Sequence, residues 1–308
     1  MKILKNLSEL ENFTDKTALT VGTFDGVHLG HRLLLEKLSQ KAERKFLKTA
    51  LVTFSPHPQE ILKNKKKPIG LLSNFEEKVF LLEKTGLDIL FVIPFSLEFA
   101  QTSAVDFCKN YLIQGLNASE IIVGYDHAFG KNREGSLQTL KDLSVEFDYG
   151  IELVEEFNLE GHKVNSTTIR KLIAEDNLQK VNQLLGYEYL ISGKVTNGDQ
   201  RGRVLGFPTA NLKMNPNKLL PTDGVYAVRV AHKSKDYNGV LNIGSRPTFY
   251  GQSRSVEVFI FDFDEEIYGE NLRLSLVEKI RSEKKFDGIE ELKSQIQKDV
   301  VLAKKIIL

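Results

Sequence analysis

The 308-residue sequence has no tryptophan, only two methionines and a single cysteine, Cys108. One cysteine excludes an internal disulfide and a metal site built from cysteines. Positive and negative side chains nearly cancel, to a net charge of +1, so the composition does not indicate nucleic acid or an acidic membrane surface as a partner. No apolar run approaches the ~20 residues that span a bilayer, and the first residues lack a signal-peptide core. We therefore expect a cytoplasmic protein with neither partner.

The length suits two domains better than one, and the sequence pattern changes near residue 185. Before it, short apolar runs alternate with helical stretches, which favours an α/β domain with a parallel sheet over 1–184. After it, strand-like runs between turn residues predict a small antiparallel barrel over 185–308, ending in a helix over 289–307. The predicted strands are 17–21, 51–54, 89–93, 121–123, 151–154, 189–195, 224–230, 238–243, 256–263 and 272–276.

One helix of the first half has a clear start and stop. The pattern Ser73-Asn74-Phe75-Glu76 is typical of a capping box, in which a side chain at each end satisfies a free amide group. Gly86 is placed to end the same helix. The sequence therefore predicts a short helix between these two signals.

The most informative segment is Val21-Gly22-Thr23-Phe24-Asp25-Gly26-Val27-His28-Leu29-Gly30-His31, between a predicted strand and a predicted helix. Its glycines let the turn approach a ligand closely. Free amide groups and the positive end of the helix dipole favour a phosphate there, and His28 and His31 can add side-chain donors. The alternative is a plain turn with two surface histidines. A His-Glu-x-x-His metal site does not fit, because no acid separates the histidines.

Three other segments of the first half indicate a nucleotide or phosphate site. His57 follows the second predicted strand, where it either contacts a ligand or serves only the turn. The segment Gly124-Tyr125-Asp126-His127 follows another strand at the same edge. Ser166-Thr167-Thr168-Ile169-Arg170 opens a helix with capping hydroxyls. Arg170 there opposes the helix dipole unless an anion pairs with it, although a surface arginine is the simpler alternative.

The segment 193–212 is dense in glycine and arginine and ends in Pro-Thr-Ala-Asn. Glycines allow a backbone to approach phosphates, although most loops of this kind are only turns. Thr209 and Asn211 lie two apart in an extended stretch, so they point the same way. Both offer the oxygen ligands that suit Mg²⁺.

Strict alternation in the segment 255–263 places Glu257 on one face with Phe259, Phe261 and Phe263. A carboxylate beside aromatic rings can act as a proton-accepting base. The alternative is an edge-strand glutamate that faces water.

These motifs, in their order and spacing, resemble those of the bacterial bifunctional riboflavin kinase/FAD synthetases. The resemblance implies a doubly wound nucleotidyltransferase domain followed by a riboflavin kinase barrel with a C-terminal helix. It implies that riboflavin and ATP give FMN and ADP in the barrel domain, and that FMN and ATP give FAD and pyrophosphate in the first domain, with Mg²⁺ as cofactor. Alternatives are a single-activity adenylyltransferase whose barrel only binds flavin, and a flavin-sensing binding protein.

The resemblance also implies residue roles in the first domain. His28 and His31 would hold the α-phosphate of ATP, and Ser166, Thr167 and Arg170 would bind its outer phosphates. Asp126 would lie in the loop that shapes the nucleotide and flavin pocket. The other nucleotide-binding residues that the resemblance implies are Gly22, Phe24, Asp25 and Gly26.

In the second domain, Glu257 would be the base that accepts the proton of the riboflavin hydroxyl, and Thr209 and Asn211 would bind the metal. Arg281, in the segment 279–286, would contact the flavin or the nucleotide. The remaining flavin- and ATP-binding residues that the resemblance implies are Gly193, Gly198, Arg201, Gly206 and Pro208, together with Asn211.

Overall fold

The computed structural model describes residues 1–11, 13–62, 69–125, 128–198, 202, 206–248 and 251–307, without the side chains at 246–248 and 251–253. These residues form two compact units. The first unit is Met1–Ile69 with Lys78–Ser166, and the second is Gly70–Glu77 with Thr167–Leu308. The second unit thus includes a short segment from the first half of the chain and the helices just before residue 185. The domain boundary at 184/185 stays a prediction.

The first unit contains a sheet of six parallel strands, which confirms the predicted doubly wound sheet. The strands are β1 (Lys2–Leu4), β2 (Thr17–Val21), β3 (Lys48–Ser55), β4 (Ile89–Pro94), β5 (Ala118–Gly124) and β6 (Gly150–Val154). They lie in the order β1-β4-β3-β2-β5-β6. Strand β2, one of the two central strands, is buried along its whole length, as expected for a strand covered on both faces. Strand order reverses at β2, so a ligand crevice is expected at the end of this strand.

The helices that belong to the first unit wholly or in large part are α1 (Leu29–Lys45), α2 (Pro58–Leu62), α3 (Phe75–Glu83), α4 (Ala104–Phe107) and α5 (Leu137–Phe147). Helix α1 buries Leu34, Leu38 and Ala42, four residues apart, and is capped by Phe46 in the left-handed conformation (φ 56°). After the last strand of the sheet, the chain forms a small hairpin of β7 (Asn158–Leu159) and β8 (His162–Lys163).

The second unit contains a closed barrel of six antiparallel strands, as predicted. The strands are β9 (Tyr189–Thr196), β10 (Ala210–Met214), β11 (Gly224–His232), β12 (Lys235–Thr248), β13 (Gly251–Ile260) and β14 (Asn271–Ser282). They lie in the order β10-β13-β12-β11-β14-β9 around the barrel. Three helices belong to this unit wholly or in large part: α6 (Ser166–Ala174), α7 (Leu178–Leu185) and the C-terminal α8 (Ile289–Ile307). Ala303 and Ile307 of α8 pack on Val225 and Phe261 of the barrel. None of the described helices combines the length and apolar composition needed to cross a membrane.

One detail of the predicted strand 256–263 is wrong. Strand β13 ends at Ile260, and Asp262 turns the chain with φ 52°. Phe263 consequently leaves the face of Glu257 and packs edge-on against His232 and Tyr237. Phe259 and Phe261 remain in contact with each other.

The segment Gly70–Glu77 is held in the second unit by a buried ion pair. Lys218 and Glu77 have fully buried side chains, and the Nζ of Lys218 donates to Glu77 Oε2 at 2.7 Å and to the carbonyl of Leu72 at 2.6 Å. The same ammonium lies 4.4 Å from the ring centre of Tyr189. Ser192 Oγ donates to the other carboxylate oxygen of Glu77. Both charges are therefore compensated, as burial requires.

Removing one partner of this pair is expected to destabilise the second unit strongly. Glu77→Ala leaves the Lys218 ammonium buried without its counter-ion, and breaking a buried pair typically costs about 3–5 kcal/mol. Glu76→Ala, at an exposed neighbouring position, is the matched control and should change the unfolding free energy little. Urea unfolding followed by circular dichroism measures both, and equal effects would contradict the prediction. Adding Lys218→Met to Glu77→Ala should restore much of the loss, because both charges are then absent.

Candidate active sites

The turn after β2 is held in an unusual backbone conformation. Phe24, Gly26 and Val27 have φ values of 49°, 84° and 35°. The left-handed region is rare for a bulky residue and above all for a β-branched one, and it costs about 1–3 kcal/mol for each such residue. Ser166 Oγ donates to the carbonyl of Asp25 at 3.0 Å, which ties the start of α6 to this turn. Strain retained by surrounding contacts is typical of a functional site.

The close approach of the chain around Val164 explains why residue 30 is a glycine. A Cβ at this position would lie 3.0 Å from the carbonyl oxygen of Val164 and 3.3 Å from the Nδ1 atom of His28. Glycine therefore lets the first turn of α1 pack against the chain that leads into α6. Ser166 therefore lies beside the turn predicted from the sequence, whose residues are Gly22, Phe24, Asp25, Gly26, His28 and His31.

The two histidines form a stack of rings. The ring centres of His28 and His31 are 3.6 Å apart, and Phe24 lies 4.4 Å from His31 on the other side. The Nδ1 atom of His28 accepts a hydrogen bond from the backbone N–H of His31 at 3.3 Å. We infer that the proton of a neutral His28 is on Nε2, because Nδ1 is acting as an acceptor.

The surroundings of His31 favour the neutral form of its imidazole. Burial lowers the pKa of its imidazole well below the usual value, and the charges of His28 and Lys78 lower it further. Its Nδ1 atom is buried without a hydrogen-bond partner among the residues the structure describes. A buried polar atom of this kind normally has a partner, so a ligand or a water molecule is expected to bind it.

Other predicted residues of the first site belong to the second unit or lie outside the described residues. Thr167 and Arg170 fall in the second unit, where Arg170 Nε donates to the carbonyl of Gly70 at 2.8 Å. His57 Nδ1 accepts a hydrogen bond from the backbone N–H of Gln59 at the start of α2, as a turn residue would, and a ligand contact stays a prediction. Asp126 and His127 lie outside the described residues.

The barrel register places two predicted residues of the second site, Asn211 and Glu257, directly opposite each other. Directly opposed residues on neighbouring strands share a face of the sheet. Asn211 of β10 is opposite Glu257 of β13, which is in turn opposite Asn242 of β12. Thr196 of β9 lies on the other side of Asn211. We call this row, Thr196–Asn211–Glu257–Asn242, the carboxylate row.

The end of the glycine-rich segment joins the carboxylate row. Thr209 Oγ1 is 3.5 Å from Glu257 Oε2, a long hydrogen bond. A Cβ at Gly198 would overlap the side-chain amide of Asn211, and one at Gly202 would lie 3.2 Å from Thr209 Oγ1. These two glycines therefore allow the loop to lie directly on the polar side chains.

The remaining predicted residues of this site have different surroundings. Gly206 adopts φ 85° with no neighbour around its Cβ position, and Pro208 is exposed. Gly193 lies three residues before Thr196 on β9 and is opposite Met214, so it is outside the carboxylate row. Arg201 lies outside the described residues.

Arg281 is engaged with the C-terminal helix. Its Nε and Nη2 atoms donate to the buried carboxylate of Asp299 on α8, at 3.0 and 2.8 Å to Oδ2. Val225 of β11 is opposite Asn242 on one side and opposite Arg281 on the other, so it lies between Arg281 and the carboxylate row. A contact of Arg281 with flavin or nucleotide stays a prediction. Neither Asn242 nor Asp299 carries a sequence signal, because only the strand register and the helix packing bring them to these positions.

Comparison with known proteins agrees with this architecture. Residues 10–168 match the family described as FAD synthetase, and residues 185–307 match the family described as riboflavin kinase. The chain is 40% identical to the bifunctional riboflavin kinase/FMN adenylyltransferase of Bacillus subtilis, over 92% of this chain and 90% of the relative. The Haemophilus influenzae protein of the same description is 38% identical, over 99% and 98%. A solved structure described as a macrolide-efflux protein from Streptococcus pneumoniae aligns over 98% of both chains with 31% identity and a TM-score of 0.86.

The parallel-sheet unit, the barrel unit and these matches define a two-domain transferase that acts on nucleotides and flavins. The chain belongs to the family of bifunctional riboflavin kinase/FMN adenylyltransferases. Both domains of that family are present, so the chain is an enzyme with a kinase and an adenylyltransferase activity.

Proposed function

We propose that adenylyl transfer takes place at the turn that carries His28 and His31, in a domain spanning 1–184. A phosphate oxygen of FMN attacks the α-phosphorus of ATP, the bond to the β,γ-phosphates breaks, and FAD and pyrophosphate leave. No covalent bond to the protein is required, so the protein contributes alignment and stabilisation of charge. The stacked His28–His31 pair at the strained turn is the observation that supports this assignment.

The protonation state of His31 suits this role. His28 presents Nε2–H as a donor, and the buried Nδ1 atom of His31 has no described partner. A neutral His31 ring can accept the approach of a substrate without the desolvation cost of a buried cation. The negative charge of an incoming phosphate then favours protonation of His31, which strengthens its hydrogen bond to that phosphate.

We propose that phosphorylation of riboflavin takes place at the carboxylate row, in a domain spanning 185–308. Glu257 accepts the proton of the terminal hydroxyl of riboflavin while this oxygen attacks the γ-phosphorus of ATP and ADP leaves. The juxtaposition of Thr209, Asn211 and Glu257 is the observation that supports this role.

The residues around Glu257 fit a bound Mg²⁺ ion. The hydroxyl of Thr209 and the amide oxygen of Asn211 are hard oxygen donors of the kind that this ion prefers. When bound with ATP, Mg²⁺ supplies positive charge that offsets the charge of the phosphates. Thr209 and Asn211 would hold the ion, which leaves Glu257 to accept the proton.

We further propose a cytoplasmic location and no nucleic-acid or membrane partner. A net charge of +1 gives no general attraction to nucleic acid or to an acidic membrane surface. The small-molecule partners are riboflavin, ATP, FMN and FAD, with ADP and pyrophosphate as products.

One incubation tests the assignment of two activities. Purified protein with riboflavin, ATP and Mg²⁺ should form FMN first and then FAD, which chromatography with fluorescence detection separates. An enzyme with adenylyltransferase activity alone would form FAD only from added FMN. A flavin-sensing protein would form neither product.

A glycine substitution tests the position of Asn211 in the kinase site. The new methyl group in Gly198→Ala would overlap the amide of Asn211, so that side chain must move. A displacement of about 1 Å can lower a rate by about 10²-fold, and we expect a loss of FMN formation of up to that size. Gly288→Ala, where a Cβ meets no atom, is the control. Initial rates of FMN formation with riboflavin and ATP measure the effect. A wild-type rate for Gly198→Ala would place Asn211 outside the site.

A further inference from the structure

Lys78 is a buried lysine of the first unit that none of the sequence motifs contains. It lies on α3 and is 5% exposed. Its Nζ atom donates one long hydrogen bond, 3.4 Å, to Thr53 Oγ1 near the end of β3. Within the described part of the chain, this neutral hydroxyl is the only hydrogen-bond or ion-pair partner of the ammonium group. An ammonium group has three donors, so most of its hydrogen-bonding capacity is available to a ligand.

The charged groups that face Lys78 come from the elements around the turn after β2. Burial lowers the pKa of Lys78 to about 8, and the more distant carboxylates of Asp25 and Glu60 oppose this shift. His31, on α1, lies within the field of Lys78, because the lysine charge contributes to the low pKa of its imidazole. The hydroxyl that accepts the hydrogen bond of Lys78 itself donates to the carbonyl of Thr23, in the turn after β2, at 3.3 Å. At neutral pH a buried positive charge therefore lies near this turn without a carboxylate in direct contact.

We propose that Lys78 is a phosphate-binding residue of the adenylyl-transfer site and acts together with His28 and His31. The ligand is a phosphate group of a bound substrate, from either ATP or FMN. A buried ammonium without a counter-ion is costly, whereas a phosphate oxygen would pair with it in a strong charge-assisted hydrogen bond. This inference rests on the function proposed for the first unit.

Three variants test the role of Lys78. Lys78→Met keeps the apolar stem and removes the charge, Lys78→Arg keeps the charge, and Lys84→Met removes an exposed lysine just beyond the same helix. FAD formation from FMN should fall by ~10²–10³-fold in Lys78→Met, because a preorganised donor is lost. Lys78→Arg should retain much more activity, and Lys84→Met should resemble the wild type. FMN formation from riboflavin should be unchanged in all three.

Two further measurements distinguish phosphate binding from a structural role. The melting temperature of Lys78→Met should not fall, because an uncompensated buried charge is removed. Equilibrium titrations with ATP and with FMN should show weaker binding of the substrate whose phosphate contacts Lys78. The alkaline limb of kcat/KM for adenylyl transfer should lie near pH 8 in the wild type and at higher pH in Lys78→Arg, since the lysine loses its charge above that pH.

Wild-type FAD formation by Lys78→Met would overturn the inference. So would a joint loss of stability and of both activities, since that result is expected of a packing residue. If the wild-type protein itself converts no FMN to FAD, the function proposed for the first unit fails, and the role of Lys78 fails with it.

Discussion

Replacing Glu257 with glutamine is expected to lower FMN formation from riboflavin by roughly 10²–10⁴-fold, the usual contribution of a positioned base. Glutamine keeps the size of the side chain and a hydrogen-bonding oxygen near Thr209, but it cannot accept the proton of the riboflavin hydroxyl. Riboflavin binding should therefore change little, because the lost interaction matters mainly in the transition state. Initial rates at saturating riboflavin measure the effect.

The control for this variant is Glu278→Gln, an exposed glutamate of β14 in the same barrel. It should phosphorylate riboflavin at the wild-type rate. Glu257→Gln should still form FAD from added FMN, because that chemistry belongs to the other unit. If Glu257→Gln retains wild-type turnover while chemistry is rate-limiting, Glu257 is a structural residue of β13 and another group is the base.

Replacing His28 or His31 with alanine is expected to lower FAD formation from FMN by ~10²–10³-fold, the typical loss when one preorganised donor to developing charge is removed. FMN formation from riboflavin should stay near normal. The two rings are stacked and share a hydrogen bond through the backbone of His31, so the double variant should lose less than the product of the single losses. Rates with FMN and ATP measure all three variants.

His162→Ala serves as the control, since His162 is an exposed histidine of β8 in the same unit. It should form FAD at the wild-type rate. Equal loss of both activities in His28→Ala would indicate misfolding or a shared site, and circular dichroism separates these two outcomes.

Elements with an uninterrupted local pattern could be predicted to the residue. Strand β2 and helix α8 have the bounds expected from their apolar run and amphipathic period. Strand β10 was predicted only as an extended stretch, because it is short and its partners, β9 and β13, include one that is distant in sequence.

The capping box of α3 shows how a distant contact shifts a local signal. It was predicted at Ser73 and Glu76, but the reciprocal hydrogen bonds join Asn74 and Glu77, at 2.8 and 3.0 Å. Glu77 is also the buried partner of Lys218, far along the chain. The tertiary ion pair favours the register that buries this carboxylate, and no local pattern contains that information.

Local patterns and distant contacts also differ in what they reveal of the two candidate active sites. The glycine–histidine turn and the Pro-Thr-Ala-Asn segment are local, so their residues could be named from the sequence. Lys78 could not, because a lysine on a short helix looks like any solvated charge until its burial is known. Asn242 became visible only through its position opposite Glu257.

The central claim, two independent active sites on one chain, is tested most directly by mixing Glu257→Gln with His28→Ala. With riboflavin, ATP and Mg²⁺, the first variant alone should accumulate neither product and the second alone should accumulate FMN. The mixture should form FAD, because FMN made by the intact barrel of one variant reaches the intact parallel-sheet unit of the other. A folded mixture that forms no FAD, with both variants lacking the same activity when assayed alone, would contradict the claim.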